Sequence, residues 1–279
     1  MRNVGRTLAF VLASSNHGAM IVNRFDYQMT GPGRGFGVGF QILERGCFDP
    51  QEVELALQLL ELRRIHNGDG VVAIDCGANI GVHTVEWAIA MTGWGSVVSI
   101  EAQERVYYAL AGNIAINNCF NAIAMHGAVS AEAGTMKIPM PDYTTASSFG
   151  SLELRQSANN EFIGQKIDYS EANAVTIQKI PLDSLMLPRV DLIKIDVEGM
   201  ELEALLGAQH TIETSYPILL IESIKAGADR LTAWVEARGY KVMTVGINIL
   251  AIHKTDKTLN QVNQMPNAEP AAQASATVN

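Results

Sequence analysis

Apolar and polar positions fall into blocks along the chain, and from residue 71 these blocks read as strands alternating with helices. Val71-Val72-Ala73-Ile74-Asp75, Val97-Val98-Ser99-Ile100-Glu101, Val190-Asp191-Leu192-Ile193-Lys194-Ile195-Asp196 and Pro217-Ile218-Leu219-Leu220-Ile221-Glu222 are short apolar runs that each end in an acid. Ala122-Ile123-Ala124-Met125-His126 is a weaker run of the same kind. Spacing between them predicts helices over about 80–91, 104–117, 200–214 and 228–238. Two last strands, about 240–245 and 247–253, are joined tightly around Gly246. Apolar strands without alternation are buried on both faces, and strands of that type that alternate with helices predict a parallel sheet sandwiched between helix layers, an α/β fold.

The first 68 residues follow a different pattern and read as a mixed extension packed on that core. Leu8-Ala9-Phe10-Val11-Leu12-Ala13, preceded by Arg2 and Arg6, faintly resembles a secretion signal. Its apolar stretch is shorter than the usual 7–15 residues, so it reads as an opening strand or helix. Ala19-Met20-Ile21-Val22 is a strand candidate. The glycine-rich stretch from Gly31 to Gly39 lacks the Gly-Lys-Ser/Thr ending of a phosphate loop and reads as a turn rather than an active-site flap. A helix should begin at Pro50, with Asp49 as its cap and Glu52 completing a capping-box-like pattern. A polar stretch over 139–174 interrupts the strand–helix rhythm, and long loops inside compact domains are usually functional or mobile. Residues 69–254 then form one domain, and 255–279 read as a disordered tail.

Composition narrows the possible roles. The chain has 279 residues, 48% of them apolar and 18% charged, with a net charge of −9. That apolar content rules out a disordered chain. No run approaches the ~20 apolar residues of a membrane span. The acidic balance argues against nucleic acid or an anionic membrane as main partner. Cys47, Cys76 and Cys119 are isolated and odd in number, which disfavours a disulfide framework or zinc site and points to a reducing cytoplasm.

The strongest chemical signal is Asp75-Cys76-Gly77-Ala78-Asn79-Ile80-Gly81, between a buried strand and a helix. In such sheets ligands bind at the carboxyl ends of the strands, where a helix N-terminus also points. Glycines there let the backbone turn and approach a ligand. Glu101 ends the next strand, placed to accept hydrogen bonds from the ribose of an adenosine-type cofactor. A dinucleotide fingerprint would read G-x-G-x-x-G, and this spacing departs from it, which opposes a nicotinamide-dependent oxidoreductase.

With Leu182-Asp183-Ser184-Leu185, Ile193-Lys194-Ile195-Asp196-Val197-Glu198-Gly199-Met200-Glu201 and Pro217–Glu222 added, the sequence resembles the FkbM family of S-adenosylmethionine-dependent methyltransferases over about residues 71–222. It departs from many members at Ala102, where they carry proline. The resemblance implies a Rossmann-like three-layer sandwich with a seven-stranded, mostly parallel sheet and a reversed last strand. It implies S-adenosylmethionine as cofactor. Asp75, Gly77, Asn79 and Gly81 would then line the methionine part and Glu101 would hold the ribose, with Ala78, Ala102 and Asp196 also among the cofactor-binding residues. It further implies methyl transfer, usually to a hydroxyl of a small molecule or glycan. A non-catalytic cofactor- or partner-binding module on the same fold is the alternative.

Asp196 and Glu198 are two apart and point the same way in an extended chain. Either can orient an acceptor hydroxyl or take its proton. They also suit a divalent ion, although no metal is expected. His83 is a third catalytic candidate, two residues after the loop. His126 is a weaker base candidate, and Glu222 is placed to touch the acceptor. Cys76 reads as a packing residue. Ser147-Ser148-Phe149 read as an ordinary turn rather than a closing lid. The sequence leaves the oligomeric state open.

Overall fold

The computed structural model describes residues 7–31 and 34–262. The N-terminal part holds β1 (Phe10–Ser15), β2 (Gly18–Asn23), β3 (Gln28–Gly31), β4 (Arg34–Phe36), α1 (Val38–Arg45) and α2 (Pro50–Asn67). Next come β5 (Val71–Cys76), α3 (Val82–Ala90), β6 (Gly95–Glu101), α4 (Glu104–Ile116) and β7 (Ala122–His126). β8 (Ala128–Val129), β9 (Gly134–Pro139) and β10 (Ala174–Ile180) flank the long loop. The chain continues through β11 (Leu192–Ile195), α5 (Glu201–Leu206), α6 (Gln209–Ser215), β12 (Ile218–Glu222), α7 (Ala228–Glu236), β13 (Tyr240–Val245), β14 (Asn248–His253) and α8 (Thr258–Val262).

Seven strands form the central sheet in the order β13-β14-β12-β11-β5-β6-β7. Six run parallel; β14 is inserted between β12 and β13 and runs antiparallel to both. The apolar runs are buried on both faces, as their lack of alternation predicts. Ala73, Leu192, Ile218 and Leu220 join the core beneath α2 and α3. Their neighbours Ile74, Ile193, Leu219 and Ile221 join the core beneath α5, α6 and α7. Burying each such aliphatic side chain contributes about 1.5–3 kcal/mol, so the sheet is fixed from both sides.

Several local expectations are corrected. Asp49 has a left-handed φ of 37° and its side chain makes no cap bond, although α2 does start at Pro50. Glu52 does not complete a capping box; its Oε2 accepts the Asn248 side chain at 2.6 Å. The helix expected over 200–214 is two helices, broken at Gly207-Ala208. A Cβ on Gly207 would lie 2.1 Å from the Ser130 carbonyl oxygen, so the chain turns where the two backbones meet. β8, β9 and β10 form a separate three-stranded sheet that the pattern did not reveal. The tail expected from 255 is ordered at its start: α8 buries Thr258 and Val262. Residues 263–279 lie outside the described residues. No described helix is long and apolar enough to cross a membrane.

A buried ion network ties α2 to the sheet and to this C-terminal segment. Asp191 is fully buried and accepts Arg63 Nε at 3.1 Å, Arg189 Nη2 at 3.0 Å and the Val72 amide at 3.0 Å. Arg63 also donates to Asp256 at 2.6 Å. Removing one partner of a buried pair leaves the other charge uncompensated. Asp191→Ala should therefore cost about 3–5 kcal/mol, read as a lower urea midpoint with an unchanged slope.

Candidate active site

At the carboxyl edge of the sheet lies a cavity of about 390 Å³. All five strand-end acids, Asp75, Glu101, Asp196, Glu198 and Glu222, line it. So do Gly77, Ala78, Asn79, His83 and Ala102. Gly81 does not: it lies at the N-cap of α3, and a Cβ there would stand 2.5 Å from Leu110 Cδ1. Its lack of a side chain serves helix packing rather than the cavity wall.

Gly77 joins the two halves of the site. It has a φ of 76°, and a Cβ on it would lie 1.8 Å from the Asp196 carbonyl oxygen. The Asp196 amide donates to the Cys76 carbonyl at 3.0 Å. The loop after β5 is thus pressed against the end of β11, a contact open only to glycine. The Gly77 and Ala78 amides both donate to the Ile100 carbonyl at 3.0 Å, which locks the loop to β6 as well. Asp75 is buried and accepts Thr84 Oγ1 at 2.7 Å.

Glu101 is buried, and each carboxyl oxygen takes one backbone amide: Asn79 at 2.9 Å and Gln103 at 2.7 Å. Burial pushes its pKa up to about 7 against the opposing effect of those amides. A carboxylate has about four acceptor positions, so both oxygens keep capacity for a ligand hydroxyl. Gln103 continues the chain of contacts: its Nε2 donates to the Phe149 carbonyl at 2.8 Å. The Phe149 amide donates to Asp26, which also accepts the Gly39 amide, both at 3.0 Å. Asp26 is buried and its pKa is raised by that burial to about 6. This path links the N-terminal part, the long loop and Glu101.

Two lysines separate the acids at the other end. Lys194 is buried, with Nζ 2.9 Å from Asp196 Oδ2 and 3.8 Å from Glu52 Oε1. Burial alone would lower its pKa, but Asp196, Glu52 and Asp75 outweigh it and hold the ammonium charged. Lys225 Nζ lies 2.5 Å from Glu198 Oε2, 3.2 Å from Glu161 and 2.9 Å from the Ser151 carbonyl. Burial and the nearby Asp196 raise the Glu198 pKa to about 8, with Lys225 only partly offsetting them. The same two causes raise Glu222 to about 7. Glu198 has a left-handed φ of 52°, and Gly199 follows at 95°. Glu201 holds that turn, accepting the amides of Val197 at 3.2 Å and Gly199 at 3.0 Å. Glu201, not Glu198, therefore fastens the loop before α5.

His126 stands away from the cavity, its Nε2 donating to the Ala102 carbonyl at 3.1 Å and its ring stacked on Tyr107. Cys76 is buried, and burial pushes its thiol pKa up, in keeping with packing. The turn reading of 147–149 is too plain: Ser148 reaches the cavity, followed by Gly150, Ser151, Leu152 and Leu154. The glycine-rich N-terminal stretch also reaches it through Phe36, Gly37 and Val38, with Phe48 nearby. Neither has a spacing signal, because both arrive from outside the strand–helix repeat. Lys194 lies within the Ile193–Glu201 motif without a spacing that marks it, and Lys225 has no signal beyond its place after a strand-end acid.

The strand order, the reversed β14 and the glycine loop opposite an acid-tipped β6 define a class I methyltransferase fold. The chain belongs to the FkbM methyltransferase domain family, which it matches over residues 75–242. The methyl donor of that family is S-adenosylmethionine. No curated protein matches the sequence significantly. Among solved structures it is similar to the methyltransferase FkbM of Methylobacillus flagellatus KT, at 17% identity and a TM-score of 0.46, over 66% of this chain and 43% of that one. The chain thus spans less than half of that relative. It is similar to a putative caffeoyl-CoA O-methyltransferase of Staphylococcus aureus, at 12% identity and a TM-score of 0.46, over 76% and 88%. The magnesium protoporphyrin IX methyltransferase of Synechocystis PCC 6803, solved with bound S-adenosylmethionine, is similar at 13% identity and a TM-score of 0.43, over 77% and 91%.

Glu52 gives the site a pH signature. Burial would raise its pKa, but His83, Lys194 and Asn248 outweigh that and bring it down to about 2. A lowered carboxyl pKa contributes stability that is complete above its ordinary value near 4.5 and lost as pH falls through 2. Acid unfolding of the wild type should show an added loss on the order of 3 kcal/mol between about pH 5 and 2. Glu52→Gln should lack that limb when unfolding is followed by circular dichroism.

Proposed function

We propose that this protein is an S-adenosylmethionine-dependent O-methyltransferase acting on a hydroxyl of a small molecule or glycan in the cytoplasm. The observation that carries this reading is the single cavity bounded by the glycine loop and all five strand-end acids. Its donor set fits the cofactor. Gly77, Ala78 and Asn79 offer backbone with Asp75 beside them, Glu101 keeps free acceptor positions beside Ala102, and the acids suit a cation. Bound S-adenosylmethionine supplies a methyl group already activated on a sulfonium. The protein's own tasks are then to orient the acceptor, exclude water and manage one proton.

Asp196, Glu198 and His83 stand at the end of the cavity suited to that work. Asp196, held by Lys194, and Glu198, held by Lys225, orient the acceptor through hydrogen bonds from its hydroxyl. A neutral hydroxyl is a poor nucleophile unless its proton is leaving, so a base contributes about 10²–10⁴ in rate. The long loop, anchored by Asp26 and Lys225, adds Ser148, Ser151, Leu152 and Leu154 to the cavity wall.

Calorimetry should detect S-adenosylhomocysteine binding. Glu101→Ala should weaken it about tenfold to hundredfold, the loss of hydrogen bonds to a charged group. Unchanged affinity would sink the assignment. A second test uses donor carrying an isotopically labelled methyl group and a panel of hydroxyl-bearing acceptors. Label appearing in alkali-stable ethers supports O-methylation; label on nitrogen, or binding without transfer to any acceptor, overturns it. Transfer should rise with pH through about 7–8, because Glu222 and Glu198 orient the hydroxyl only once ionised. Glu198→Gln should flatten the upper part of that rise.

A further inference from the structure

The family match begins at residue 75, yet a charged side chain from α2 in the N-terminal part reaches the rear of the site. Glu52 Oε1 lies 3.3 Å from His83 Nε2. Its other oxygen accepts Asn248 Nδ2 at 2.6 Å, which fixes the carboxylate against β14. The His83 side chain is 6% exposed, and its Nε2, shut away from solvent, makes no hydrogen bond among the described residues; the Glu52 carboxylate at 3.3 Å is the charged group it faces. Trp87 packs edge-on against the imidazole at 5.5 Å and fixes the ring plane. The charged groups around this ring are Glu52 and Asp49 from the N-terminal part and Lys194 from β11.

A neutral imidazole has one N–H and one bare nitrogen, and the partner of one nitrogen decides the state of the other. Nε2 faces a carboxylate that accepts only, so the proton belongs on Nε2. Nδ1 is then the bare nitrogen, on a ring that lines the cavity. The carboxylate also offsets the positive charge the ring acquires when it takes a second proton. Lys194 does not displace Glu52 from this task, since it is closer to Asp196 and lies 3.8 Å from the carboxylate.

We infer that Glu52 is a positioning residue for His83: it holds the imidazole in the Nε2–H tautomer so that Nδ1 is the proton acceptor for the acceptor hydroxyl. In that step the hydroxyl O–H bond breaks, an N–H bond forms at Nδ1, and the new positive charge rests on the ring beside the Glu52 carboxylate. Asp196 and Glu198 then orient rather than deprotonate. The catalytic half of this inference rests on the proposed methyl transfer; the tautomer half does not.

The test is ¹⁵N-resolved imidazole NMR on the full chain without ligand, with His83 assigned by its loss in His83→Asn. In the wild type His83 should give the shifts of an Nε2–H imidazole. Glu52→Ala should lose that preference, and Glu52→Asp should restore it in part. Retained S-adenosylhomocysteine binding by calorimetry, within about threefold of wild type, establishes that each variant is folded. An Nδ1–H tautomer in the wild type overturns the inference whatever the variants do. So does an Nε2–H tautomer that persists in folded Glu52→Ala. In the labelled-methyl assay Glu52→Ala should lower kcat about tenfold or more with little change in KM for the donor. Failure of all transfer in the wild type would instead defeat the proposed function and leave the tautomer result standing.

Discussion

The site depends on one close approach, that of Gly77 to the carbonyl of Asp196. β5 and β11 are neighbours in the sheet, and their carboxyl ends must leave it side by side. Any side chain at 77 would occupy the place of the Asp196 oxygen. With glycine there, the two chain ends cross in contact and the Asp196 amide bonds the Cys76 carbonyl. Two consequences follow from this packing. The loop that reaches Asn79 is held against β6, so Glu101 can take the Asn79 amide. The chain after β11 is directed into the Glu198–Gly199 turn, which carries the second acid to the cavity. Glycine is thus required in the motif for protein–protein contact first, and for ligand access second.

The strand–helix repeat was legible because buried parallel strands write a continuous apolar run, and its end marks the sheet edge. That is why five acids from four separate strand ends fall on one edge, and all five do line one cavity. What the repeat does not encode was not legible. Phe36, Phe48 and the 148–154 segment reach the cavity through tertiary packing of irregular chain, which leaves no period. Asp49 and Glu52 show a further limit. Their spacing matches a capping box, but Glu52 finds Asn248, Lys194 and His83 across the fold, and those partners outweigh a local backbone amide. Gly81 was assigned to the ligand on motif position alone, whereas its surroundings are Leu110 and Thr84.

A cluster of acids at one edge repels itself unless cations are interleaved. Lys194 and Lys225 do this from opposite sides, each in contact with a different acid. The division matters chemically. Asp196 sits beside the Lys194 ammonium, and its side chain is 37% exposed. Glu198 and Glu222 are more enclosed and are driven toward the neutral form by burial and by Asp196 itself. Burial and neighbouring charge thus act on Glu198 and Glu222 together, while Asp196 is held against Lys194.

The N-terminal part completes the site from outside the family-matched segment, at two separate points. Through Asp26 it holds the Phe149 amide, and through Phe149 and Gln103 it reaches Glu101. Through Glu52 it reaches His83 and Lys194. The first contact leads to Glu101 and the second to His83 and Lys194, all of which line the cavity. Loss of the extension would strip α2 from one face of the sheet. It would also remove Asp26, which holds the Phe149 amide, and Glu52, which lies beside His83 and Lys194. The fold is therefore set by the repeat, while the chemistry of this chain is set jointly by the repeat and by an extension that the repeat does not specify.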